Sequence, residues 1–305
     1  MYRGGDLLEA LHGSIPEWLL LLAALVTRLG DVWVVIGATI AASWLLTWHR
    51  TDRGGGGGVA APSRGAAERN PVWPVGIVVG GLAAMTALKY LFTLPRPDQV
   101  AATPAVLPSV LESAYVSSVT LGGYGFPSGH ALGATVAYGI LALTLPVGTR
   151  RIRLAVAGVV ALSVSLSRVV LSVHYPGDIV AGIAIGVGYL VAVQWLLERS
   201  PIDRTTTAFG LALGLAVVAI AVSGAGGRSV TYAALAAGGL AVWTIGRPEL
   251  RSSSPGATYH AESATAILGL LVVLVVLDGG LLSVASAAVL GGLAVVPAVV
   301  SNRSP

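Results

Sequence analysis

Apolar residues run along this chain in long, nearly unbroken blocks. They do not alternate as in a half-buried strand, nor form the single stripe of a soluble helix. A membrane-spanning helix needs about 20 mostly apolar residues. Ten blocks approach or meet that length: 15–30, 32–48, 72–94, 128–147, 152–172, 178–197, 206–224, 229–246, 263–278 and 281–300. The first has a short apolar core, because Glu17 and Arg28 bound it, and reads as a span, a re-entrant segment or an interfacial one. The pattern predicts an all-α fold, a polytopic membrane helical bundle.

Composition sharpens this reading. The 305 residues are 55% hydrophobic and 10% charged, and mean hydropathy is +0.82. Soluble domains carry about 25% charged residues. The start bears Asp6 and Glu9 beside one Arg, with no small-residue cleavage site after it, so it does not read as a cleaved signal peptide. Cysteine is absent, which excludes disulfides, thiolate metal sites and cysteine nucleophiles. No basic stripe interleaves with aromatics, so the net charge of +4 does not suggest a nucleic-acid partner.

The cations order the loops instead. Arg50, Arg53, Arg64 and Arg69 lie in one loop, and Arg150, Arg151 and Arg153 in another. Arg199 and Arg204, then Arg247 and Arg251, follow two later spans. These loops alternate onto one side, which the positive-inside rule assigns to the cytoplasm. The opposite side receives Lys89, Arg96 and Arg168, and the expected location is a multi-pass cell-membrane protein with these groups facing outward. The run Gly54–Gly58 reads as a flexible cytoplasmic linker. Residues 98–126 form the longest outward loop, and its piece AVLPSVLESAYV suits a short interfacial helix over a membrane-facing site. Segments GIVVGG and GIAIGVG supply small residues where helices can approach closely.

Candidate chemistry collects at the ends of apolar blocks, and an ionisable group at membrane depth is a functional candidate by default. Lysine occurs once among eighteen Lys and Arg residues, at Lys89, seven residues before Arg96 in KYLFTLPRP. Pro95 and Pro97 stop the helix and leave Arg96 on a stiff turn. Next comes Pro127-Ser128-Gly129-His130, where Ser128 suits an N-cap, Gly129 lets a ligand approach the backbone, and the free N–H groups of a helix start attract anions. Then come Ser167-Arg168, His174 and Asp178, with Pro176 and Gly177 between the last two. A carboxylate on one imidazole nitrogen fixes the tautomer and frees the other nitrogen, and an Arg fork can hold phosphate oxygens. Taken singly, these are also a snorkelling pair, a capped helix and a structural His–Asp contact.

Taken together, they resemble the type 2 phosphatidic acid phosphatase family, which is related to the vanadium haloperoxidases. Its pattern is Lys, six residues, Arg-Pro; then Pro-Ser-Gly-His; then Ser-Arg, five residues, His, three residues, Asp. Every fixed position is matched here, in order, over roughly residues 70–197. The resemblance implies a six-helix phosphatase core within residues 1–200 and does not cover 205–305, where the apolar blocks predict about four extra C-terminal transmembrane helices; the boundary falls near loop 198–205, because every motif lies before it. It implies that His174 attacks phosphorus to form a phosphohistidine and that Asp178 orients His174. It implies that His130 protonates the leaving oxygen and then activates water. Lys89, Arg96 and Arg168 would bind phosphoryl oxygens, with Ser128 and the Gly129 N–H beside them. Those cations can take the place of a metal, and neither metal nor cofactor is expected.

The expected function is hydrolysis of a lipid phosphate or diphosphate at the outer face, with the bilayer and the lipid as partners. A phosphotransferase would use the same intermediate. A transporter or flippase using the cations as a relay is the reading from another class, and the lack of a repeat between the halves weakens it. The sequence does not choose among phosphatidate, phosphatidylglycerol phosphate, polyprenyl diphosphate and an isoprenoid monophosphate. His12, His49 and His260 read as structural or solvated, and Asp278 in VLDGG as a hairpin turn.

Overall fold

The computed structural model describes residues 3–11, 14–54, 72–249 and 287–296, and among these no strand occurs. The helices are α1 (Gly5–Leu11), α2 (Glu17–Thr27), a 3-10 turn at Arg28–Gly30, α3 (Val32–Gly54), α4 (Trp73–Phe92) and α5 (Ser109–Val119). They continue with α6 (Gly129–Thr144), α7 (Arg150–Val170), α8 (Pro176–Arg199), α9 (Arg204–Ser223), α10 (Ser229–Glu249) and α11 (Ala287–Val296).

Four of these, α4, α7, α8 and α9, are long and apolar enough to cross a membrane. This is an all-helical, polytopic membrane protein. Among the ten candidate blocks, the first, which reads as a span, a re-entrant or an interfacial segment, and block 128–147 do not each form a full-length straight span. Blocks 15–30 and 32–48 fold as one bent pair with a 53° angle, which would add a fifth span if it crosses. The bend falls where Arg28 and Asp31 interrupt the apolar run, so the charges break the helix and do not sit in its wall. Block 128–147 yields only 16 helical residues, because Pro146 follows the helix cap at Leu145. Block 263–278, Asp278, His12, His260 and most of the glycine-rich linker lie outside the described residues. The His49 side chain does as well, as do parts of block 281–300.

Packing divides the chain into two interleaved units, residues 1–35 with 85–191 and residues 36–84 with 192–305. In the first unit, Leu20, Ala23, Ala101, Tyr115, Val119, Leu171 and Val173 form one core cluster. Leu8, Ala131, Val169 and Ile179 form a second, and Ala134, Ala161 and Val164 a third. Helix α8 packs closely on α6 through glycines: a Cβ at Gly182 would lie 2.7 Å from the Ser128 carbonyl oxygen, and one at Gly186 would lie 3.0 Å from Thr135. On α7, Ala157, Ala161, Val164 and Arg168 are buried while Val159, Leu162 and Leu166 face outward, an apolar outer face suited to lipid.

In the second unit, Asp203 caps α9 by accepting from the Thr206 N–H at 2.9 Å, and also accepts from Trp243 Nε1 at 2.9 Å. Gly76 of GIVVGG packs against the backbone of Ala208 and Phe209, where a Cβ would come within 2.9 Å.

Candidate active site

Four helix ends and two turns of the first unit deliver the motif residues to one place. Helix α4 stops at Phe92, and Thr93 takes a left-handed backbone (φ 50°), so the chain reverses before Pro95 and Arg96. Helix α7 ends likewise, with Ser172 left-handed (φ 55°) between Arg168 and His174. Such backbone is uncommon for non-glycine residues, and it occurs here at both turns that aim a site residue.

Ser128 is the N-cap of α6; its Oγ accepts from the Ala131 N–H at 3.5 Å, and its own N–H donates to the Asp178 carbonyl at 3.0 Å. That bond ties the start of α6 to the start of α8, where Pro176 takes the first helical position. Gly129 sits close to two α4 side chains: a Cβ there would lie 3.2 Å from Met85 Sδ and 3.6 Å from Lys89 Cε.

The His174–Asp178 geometry fixes a tautomer. His174 is 1% exposed and Asp178 0%. Asp178 Oδ2 lies 3.3 Å from His174 Nδ1 and also accepts from the Tyr175 N–H at 3.1 Å. On the other side of the ring, Arg96 Nη1 lies 3.1 Å from His174 Nε2. A guanidinium can only donate, so Nε2 is the acceptor and Nδ1 carries the proton that Asp178 receives. Burial, with the cations Arg96 and Lys89 acting in the same direction, holds the His174 pKa well below 6.5. Nε2 therefore presents a lone pair.

The three motif cations act on one another and on this ring. Arg96 further donates to the carbonyls of Gly122 (3.2 Å) and Val173 (3.1 Å), and burial lowers its pKa from the usual guanidinium value. Lys89 Nζ donates to the Tyr124 carbonyl at 2.7 Å. Arg168 is 1% exposed; Nη1 donates to Thr27 Oγ1, while Nε and Nη2 find no hydrogen-bond partner among the described residues. A buried guanidinium with two unsatisfied donors is costly, and an anion would relieve it. Beside Arg96 and Val173 opens a cavity of about 330 Å³, also lined by Gln99, Val119 and Leu121.

His130, the remaining motif histidine, turns Nε2 toward Asp31 Oδ1 at 3.1 Å. All eight candidate residues, Lys89, Arg96, Ser128, Gly129, His130, Arg168, His174 and Asp178, thus lie in the first unit.

A family model for the PAP2 superfamily matches residues 71–202. This stretch is a PAP2-superfamily domain. The match supports a phosphatase-type enzyme in general terms. No curated protein and no solved structure matches the chain.

The PAP2 motif residues draw partners from outside the matched stretch, and sequence reasoning missed them. Arg3 Nη1 donates to Asp178 Oδ1 at 2.7 Å and Nη2 to the Pro95 carbonyl at 2.7 Å, with its guanidinium 4.6 Å from the Tyr175 ring centre. Thr27 holds Arg168, and Asp31 holds His130. The only sequence signal for Asp31 was a lone acid between two apolar blocks.

Proposed function

We propose that the protein hydrolyses a lipid phosphate or diphosphate through a phosphohistidine on His174. The observation that carries this reading is His174 Nε2 meeting the Arg96 guanidinium at 3.1 Å amid three cations, one of them with two unsatisfied buried donors among the described residues.

In the first step, the Nε2 lone pair attacks phosphorus. The P–O bond to the leaving group breaks with its electron pair going to oxygen, and His130 supplies the proton that makes a neutral alcohol or a monophosphate. Arg96 transfers its donor from Nε2 to a phosphoryl oxygen as the group arrives. In the second step, His130 takes a proton from water, the water oxygen attacks phosphorus, and the P–N pair returns to Nε2. Throughout, Nδ1–H stays on Asp178. Lys89, Arg96, Arg168 and the Gly129 N–H offset the charge spreading over the phosphoryl oxygens, which is where most catalysis of phosphoryl transfer arises. Ser128 holds the helix start that presents that N–H.

The loop cations support an outward-facing site, since Arg150, Arg151 and Arg153 lie at the opposite end of α7 from Arg168. The apolar outer faces of the helices suit a substrate that arrives from the bilayer, and the cavity beside Arg96 gives room to part of the leaving group. The test is phosphate release by detergent-purified protein from phosphatidate, phosphatidylglycerol phosphate, a polyprenyl diphosphate and an isoprenoid monophosphate. Release from at least one lipid at rates far above a His174→Ala control is expected; none above the control would overturn the reading.

A further inference from the structure

The break between α2 and α3 is built against the His130 ring. The 3-10 turn ends at Gly30, where a Cβ would lie 2.5 Å from Val164 and 2.9 Å from His130 Cδ2, so only glycine lets the turn sit there. The Tyr138 hydroxyl, on the helix that carries His130, donates to the Leu29 carbonyl at 2.8 Å and pins the same turn. Asp31 follows in extended conformation, and its own carbonyl accepts the first backbone bond of α3 from Val35. Two helices and a turn thus fix where this carboxylate stands.

Its two oxygens have different partners. Oδ1 meets His130 Nε2 at 3.1 Å, and Oδ2 accepts from Arg28 Nη1 at 3.3 Å. Arg28 in turn donates through Nη2 to the Ala114 carbonyl and, at 3.0 Å, to Ser117 Oγ, both on α5. The carboxylate is therefore oriented from behind while it faces the imidazole.

We propose that Asp31 is the positioning residue for His130, making a second carboxylate–imidazole pair opposite His174–Asp178. This rests on the phosphatase reading above. With Nε2–H donated to Asp31, Nδ1 is the nitrogen left to exchange a proton with the leaving oxygen and then with water. The two histidines are thus used through opposite nitrogens: Asp178 holds Nδ1 of one, and Asp31 holds Nε2 of the other. A counter-charge is needed at His130, because the charged groups acting on it include Arg96 and Arg168, which oppose an imidazolium. Asp31 is the carboxylate that faces the ring.

The test compares the full-length parent with Asp31→Asn, Asp31→Glu, His130→Ala and the Asp31→Asn/His130→Ala double variant. Each is assayed on a short-chain phosphatidate, with a poor alkoxide leaving group, and on p-nitrophenyl phosphate, whose leaving group needs little protonation. Asp31→Asn is expected to lose about 10–100-fold in kcat on the phosphatidate. It should lose only a few-fold on p-nitrophenyl phosphate, and cost nothing further in the His130→Ala background. Asp31→Glu should fall between parent and Asn in the ratio of the two rates, which keeps the test open if Asn folds poorly. The pH profile on phosphatidate should shift in Asp31→Asn and not in the double variant. Equal losses on both substrates, additive losses with His130→Ala, or an unchanged Asp31→Asn would overturn the role of Asp31 while leaving the phosphatase reading standing. A parent inactive on both substrates is assayed, with the same variants, on the other lipids of the panel, and inactivity on all of them would overturn that reading and this inference with it.

Discussion

Arg96 donates to Nε2 of His174 at 3.1 Å, so the cation that would hold a phosphoryl oxygen already marks the nitrogen that would attack it. One contact thus reports the tautomer and, in the proposed mechanism, the nitrogen that attacks and the side from which the phosphoryl group enters. The consequences are testable one at a time.

His174→Ala should abolish turnover and any acid-labile phosphoenzyme trapped by rapid quenching, while thermal unfolding in detergent shows a folded protein. Turnover within a few-fold of the parent would remove His174 from the nucleophile role.

The His174 pKa lies below 6.5, so Nε2 stays unprotonated as pH drops through that value. After correction for the substrate's own ionisation near pH 6 and for the protonation of His130, the acid limb of kcat/KM that belongs to His174 should lie below pH 6.5. Stability follows the same group. Because the unfolded chain binds the proton more tightly, stability contributed by His174 is complete above 6.5 and declines as pH falls below it. A corrected acid limb centred at or above 6.5 would contradict this assignment.

Arg168→Lys keeps the charge but loses the fork. Its two unsatisfied nitrogens mark it as a bidentate donor, so this change should raise KM for the lipid and lower kcat/KM by about 10–100-fold. A near-normal Arg168→Lys would show that only charge matters at this position.

Arg3 fills one oxygen of the fully buried Asp178. Arg3→Ala should destabilise the protein by about 1.5–3 kcal/mol, the typical worth of a hydrogen bond to a charged group. It should also slow phosphoenzyme formation, because Asp178 is then held less firmly against His174. Unchanged melting and unchanged rate would show that the ion pair is dispensable.

Sidedness can be read with single cysteines, since the chain has none. Ser109→Cys on α5 and Val147→Cys between α6 and α7 are both at exposed positions. An impermeant thiol reagent on intact cells should label position 109 and spare position 147. The reverse labelling would put the site on the cytoplasmic face.

The apolar blocks dictated helices, and their interruptions marked helix ends, because period and length are local properties that need no partner. The three motifs were legible for the same reason: Lys89 to Arg96, Ser128 to His130 and Arg168 to Asp178 are short spacings set by a turn or a cap. Even there, the left-handed turns at Thr93 and Ser172 left no glycine signal to read. What tertiary structure decided was which distant residues complete the site. Arg3 meets Asp178 across 175 positions, Thr27 meets Arg168 across 141, and Asp31 meets His130 across 99. No periodicity reports such pairs. Within the first unit, Gly30 lets the turn after α2 approach α6 and α7, and Gly182 and Gly186 let α8 approach α6, so that such pairs can meet. Tertiary structure also decided among the readings open for block 15–30, which forms one bent pair with block 32–48, since a charged Asp31 facing His130 is better satisfied at a break than in the wall of a continuous helix.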